Sequence, residues 1–95
     1  MIPEDRIPTH PGEILLEDFL EPLGVTQKAL AENIGVPLQR VNEIVKGRRG
    51  DSPETAWLFA TALGTTPELW MNLQILHDLA RNRPDRDVKS LRDSA

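Results

Sequence analysis

The side chains that carry recognition chemistry cluster between Gln39 and Arg49. Gln39 and Arg40 set an amide beside a guanidinium. The amide matches the donor–acceptor edge of adenine, and the guanidinium fork matches the O6/N7 edge of guanine. Either Asn42 or Glu43, one helical turn further on, adds a contact, and Leu38 is placed to touch a thymine methyl. Lys46, Arg48 and Arg49, with Gln27 further back, are the residue types that hold phosphate. The pattern is that of a duplex DNA reader, with base-reading groups at one end and phosphate-binding groups around them.

Little else in the chain suggests chemistry. His10 and His77 are the two histidines, and neither lies in an HExxH or Cys/His spacing, so no metal site is expected. His10 suits a helix cap or a surface position, and His77, beside Arg81, reads as solvated. Cysteine is absent, which rules out a disulfide framework and thiolate ligation. No nucleophile is clustered with a base, so neither an enzyme nor a cofactor is expected. No apolar run approaches membrane-spanning length and nothing resembles a signal peptide, so the expected location is the cytoplasm.

Those side chains must be positioned, and residues 26–49 supply the means. Thr26 is a good N-cap, and Ala29, Leu30 and Ile34 follow at helical spacing with small Ala31 beside them. Gly35 falls where a helix ends most easily in the left-handed conformation. Pro37 suits the first position of a second helix, which turns Val41, Ile44 and Val45 inward and ends at Gly47. The first helix braces the second, whose polar face fits the major groove.

A net charge of −4 looks wrong for a DNA binder until it is divided along the chain. Residues 26–50 carry Lys28, Arg40, Lys46, Arg48 and Arg49 against Glu32 and Glu43, a net +3. Residues 1–21 carry Glu4, Asp5, Glu13, Glu17, Asp18 and Glu21 against Arg6, a net −5. Local charge decides what each face attracts, and the basic segment is the one suited to phosphate.

At 95 residues the chain is one small domain, divided here into an arm (1–8), a helical body (9–82) and a polar tail (83–95). Leu15, Leu16, Phe19 and Leu20 share one side of a helix that opens near Thr9 or His10 and ends at Gly24. Ser52 and Pro53 start another helix, in which the apolar neighbours of Trp57 imply a buried ring. Thr66 and Pro67 start the last one, running to about Arg81. There Leu69, Leu73, Leu76 and Ala80 form one stripe, and Met71, Ile75 and Leu79 an adjoining one. Together they cover about 200° of the helix surface, wider than the roughly 100° that packing on one core needs. The second stripe is therefore expected to bury against a second subunit. Trp70 falls with Gln74, His77 and Arg81 on the otherwise polar face, either folded over the domain's edge or anchoring an interface.

The order Leu30 to Arg49 resembles the helix-turn-helix of the Xre/Cro repressor superfamily. Two flanking stretches narrow the resemblance. His10-Pro11-Gly12-Glu13-Ile14-Leu15 looks like the opening of HigA-type (VapI-like) antitoxins, and residues 62–74 (ALGTTPELWMNLQ) resemble a later stretch of that family. Leu69 and Met71 stand where Phe and Leu are commoner, which bears on partner choice rather than membership. The resemblance covers about residues 7–82. It implies an all-α, compact five-helix bundle of the lambda-repressor-like type. It also implies a homodimer that binds palindromic operator DNA, represses its own operon and neutralises a HigB-like mRNA endonuclease toxin. The alternative is a stand-alone phage-type repressor without a toxin partner. An RNA-cleaving toxin is expected to be basic. Its expected docking face is therefore the acidic first helix, through Glu13, Glu17, Asp18 and Glu21, with Trp70 as a further candidate contact.

Overall fold

The computed structural model describes residues 8–93, so the expected N-terminal arm lies outside the described residues except for Pro8. Within them the chain forms five helices and no strand. Helix α1 (residues 11–23) is one continuous rod whose middle, Leu15–Leu20, is a π-helix between α-helical ends Pro11–Ile14 and Glu21–Leu23. Its widened turns lie just ahead of Pro22, whose ring would clash with the carbonyl of Asp18 in an ideal α-helix. Pairing residue i with i+5 also brings Leu15 and Leu20 onto one face, where both are buried.

The remaining helices are α2 (Gln27–Ile34), α3 (Leu38–Val45), α4 (Pro53–Leu63) and α5 (Pro67–Arg81). Their starts follow the capping chemistry of the sequence. Thr26, Ser52 and Thr66 each accept a backbone N–H three residues on, at 3.0, 3.2 and 3.2 Å. Gly24, Gly35 and Gly64 close α1, α2 and α4 in the left-handed conformation. Past α5 residues 82–92 are exposed, and a 3₁₀ turn occupies Leu91–Asp93. No helix among the described residues is long and apolar enough to cross a membrane.

The core is built from Leu15, Leu20, Leu30, Ala31, Val41, Ile44, Ala56, Phe59, Ala60 and Trp70. Both tryptophans depart from the sequence reading. Trp70 is 0% exposed, with its ring centroid 5.3 Å from those of Phe19 and Phe59, and its indole N–H donates to Thr65 Oγ1 at 2.7 Å. Trp57, expected inside, is 64% exposed. The cause is the rotation of α5. Its inward line is Trp70, Gln74 and His77, the face that looked polar in the sequence. His77 is thus buried rather than solvated, with Nδ1 2.7 Å from the carbonyl of Pro8. Met71 and Leu73 flank that line and pack on the core, leaving Leu69, Ile75 and Leu79 outside.

A polar edge can turn inward because each of its groups has a partner. Gln74 Oε1 accepts the backbone N–H of Asp51 at 2.7 Å, and Gln74 Nε2 donates to Asp78 Oδ1 at 3.0 Å. Buried amides so satisfied avoid the penalty that burial otherwise exacts.

Candidate nucleic-acid interface

Helices α2 and α3 meet through Leu30 and Ala31 on one side and Val41 and Ile44 on the other, all buried. Gly35, at φ 75°, makes the turn between them. Pro37 is the N-cap of α3 rather than its first residue, because its extended backbone (ψ 143°) holds it outside the helix. Leu38, Gln39 and Arg40 therefore form the first turn, the part of a recognition helix that reaches base edges. Gly12 braces α3 from behind, where a Cβ would collide with the Ile44 carbonyl.

The far end of α3 closes in a Schellman turn. Gly47 N–H donates to Ile44 O at 3.0 Å and Arg48 N–H to Glu43 O at 2.8 Å, with Gly47 at φ 74°. This folds the basic run back along the helix it follows. Arg49 Nε donates to Glu43 Oε1 at 3.2 Å, and Arg40 Nη1 lies 3.8 Å from Glu54 Oε1 across the gap to α4. Pro37, Gln39, Arg40, Glu43 and Arg49 line one shallow depression of about 180 Å³.

Of the expected DNA-contacting side chains, Gln39, Arg40, Glu43 and Arg49 thus come together, Leu38 and Asn42 lie along α3, Lys46 and Arg48 follow it, and Gln27 starts α2. Leu38, Gln39, Lys46, Arg48 and Arg49 are exposed, and Gln27, Arg40, Asn42 and Glu43 are half-buried. The other sites lie elsewhere. Ile75 (47% exposed) and Leu79 (50%) stand out from α5, whereas Met71 is half-buried against the core. Glu13, Glu17, Asp18 and Glu21 are exposed along α1. Trp70 has no surface to offer a partner, so it is withdrawn as a toxin contact.

Two titratable groups depart from their ordinary ranges. His10 caps α1, its Nδ1 accepting the Gly12 N–H at 2.9 Å, and packs edge-on to His77 with ring centroids 4.9 Å apart. Burial, reinforced by His77, holds its pKa below the usual 6.5, which keeps the capping nitrogen unprotonated. No group of three or more His, Cys, Asp or Glu side chains able to hold a metal occurs among the described residues. Asp51 is 6% exposed, neither carboxylate oxygen has a hydrogen-bond partner, and burial pushes its pKa up to about 7. Neither Asp51 nor Glu54, the partner of Arg40, stands out from its place in the sequence. No spacing rule connects a loop residue to a helix it meets only in the folded state.

The sequence matches the helix-turn-helix family HTH_3 over residues 16–70. It is 44% identical over 86 residues to antitoxin HigA-1 of Vibrio cholerae serotype O1, covering 88% of this chain and 81% of that one. The chain belongs to the HigA-type antitoxins of the helix-turn-helix family. Two solved structures extend the likeness to the fold. One is the Pseudomonas aeruginosa antitoxin HigA with the higBA promoter (33% identity, TM-score 0.82, covering 88% of this chain and 98% of that one). The other is antitoxin GraA in complex with its operator (35% identity, TM-score 0.76, covering 94% and 100%).

The buried Asp51 of this HigA-type antitoxin generates a pH prediction. Its folded pKa lies above the unfolded value of 3.8, so the cost of ionising it begins above about pH 4 and grows until about pH 7. At about 1.4 kcal/mol per pH unit, the ceiling is on the order of 4 kcal/mol. Asp51→Asn should match the wild type in urea denaturation near pH 4 and exceed it by a few kcal/mol at pH 8. Parallel pH profiles for the two proteins would contradict the assignment.

Proposed function

We propose that this chain is the antitoxin of a type II toxin–antitoxin module. As a homodimer it represses its own operon by binding palindromic operator DNA, and it neutralises a HigB-like mRNA endonuclease. The observation that carries the DNA half is α3 itself. Its first turn presents Leu38, Gln39 and Arg40 outward, its second adds Asn42 and Glu43, and exposed Lys46, Arg48 and Arg49 follow. The promoter and operator bound to the relatives HigA and GraA favour the same use of this fold.

The dimer half rests on α5. Ile75 and Leu79, with Leu69 nearby, keep about half or less of their surface in water, and burying that remainder in a twofold interface would recover about 1 kcal/mol for each side chain. Met71 contributes only its outer edge. A twofold axis would also pair two recognition helices on half-sites about 10 bp apart or a multiple of that. Ile75→Asp should give a folded monomer by sedimentation, with operator affinity reduced at least tenfold. A wild-type protein that is monomeric at tens of micromolar would defeat this part of the proposal.

The toxin half rests on charge. An RNA-cleaving toxin needs a basic surface, which the basic α3 side of this chain would repel and the acidic α1 would attract. Glu13, Glu17, Asp18 and Glu21 are therefore the proposed docking face, with electrostatic steering raising the association rate. Replacing Glu13, Glu17 and Asp18 with Lys should slow toxin association at low salt and leave operator binding intact. Unchanged association kinetics in a folded triple variant would exclude this face, and a chain that co-purifies with no toxin would be a stand-alone repressor.

A further inference from the structure

Glu43 is out of place on a DNA-facing helix. Its carboxylate would repel the phosphates that Lys46 and Arg48 are suited to hold, and among the described residues neither of those cations forms an ion pair. We propose that Glu43 is a positioning residue that fixes Arg49 as a guanine-reading fork, instead of reading a base itself or leaving Arg49 as a phosphate clamp. The proposal rests on the DNA-binding reading above.

The geometry begins with the backbone. The Schellman turn at Gly47 ties Arg48 N–H to Glu43 O at 2.8 Å, which returns the chain over the last turn of α3. That return brings Arg49 Nε within 3.2 Å of Glu43 Oε1, across six positions of sequence. A guanidinium carries five N–H donors in a rigid plane. With Nε–H committed to the carboxylate, the plane is set and the paired Nη donors remain available. Those donors are what a bidentate contact to guanine O6 and N7 requires, and because a phosphate accepts the same fork, location separates the two. Arg49 lines the same depression as Gln39 and Arg40, next to the base-reading end of the site.

Glu43 is half-buried and Arg49 exposed, so both can be changed with little threat to the fold. The test is selection of preferred duplexes from a randomised pool by the wild type, Arg49→Lys, Glu43→Ala and Glu43→Gln, each checked for helical circular dichroism. The wild type should enrich a motif containing a guanine that Arg49→Lys and Glu43→Ala both lose at the same position, by about tenfold, with the rest of the motif kept. Glu43→Gln should restore part of that preference, since its amide oxygen can still accept from Nε. Glu43→Ala should at the same time bind unrelated DNA more tightly, because a negative charge is gone. Tighter binding by Glu43→Ala with the guanine preference intact would overturn the proposal, leaving Glu43 a merely repulsive charge. Loss of different positions in the two variants would also overturn it, because Glu43 would then read its own base. A wild type that enriches no motif would overturn the DNA-binding reading instead.

Discussion

Trp70 closes the core from α5, with its ring against Phe19 of α1 and Phe59 of α4 and its N–H held by Thr65. Emptying such a site costs about 3–5 kcal/mol, and a smaller Leu or Ile turned inward in its place would leave part of that volume unfilled. Filling that volume favours the observed rotation of the helix. Once Trp70 faces the core, Gln74 and His77 must follow one and two turns later, and Ile75 and Leu79 must face out. The exposed apolar edge follows from placing the one side chain that fills the centre of the molecule.

The same rotation supports the recognition helix indirectly. Gln74 takes the backbone N–H of Asp51, which pins the loop between the basic turn and α4. Gly50 is needed there because a Cβ would strike the Gln74 amide. His77 holds the Pro8 carbonyl and packs on His10, which caps α1 just before Gly12 meets the back of α3. Helix α5 thus ties down segments adjoining α3 at its back and past its C-terminal end without touching the face proposed for DNA. A chain of packed groups thus connects the buried line of α5 to the surroundings of α3.

What the sequence made legible was local. Thr26, Ser52 and Thr66 capped the helices they were expected to cap, and Gly24, Gly35 and Gly64 ended α1, α2 and α4, because capping depends on a few adjacent residues. The two-helix unit was readable for the same reason, since Ala31, Gly35, Val41 and Ile44 lie within fourteen residues of one another. The facing of α5 was not readable. Its apolar periodicity pointed to Leu69, Leu73, Leu76 and Ala80 as the inward stripe, and only tertiary partners from Thr65, Asp51 and Pro8 make the polar-looking edge the better one to bury. Trp57 failed in the opposite sense, because apolar neighbours along a helix do not show which side of it meets the core. Asp51 gave no signal at all, since its loop is held by Gln74 of a helix that begins sixteen residues later.

The facing of α5 is therefore the claim on which the core, the free apolar edge and the bracing of α3 all depend. Trp57→Phe leaves Trp70 as the single tryptophan and makes that facing directly measurable by fluorescence. The account requires a blue-shifted emission that resists quenching by acrylamide until the protein is unfolded. Emission at the wavelength of a solvated indole, quenched as readily in the folded protein as in urea, would contradict it.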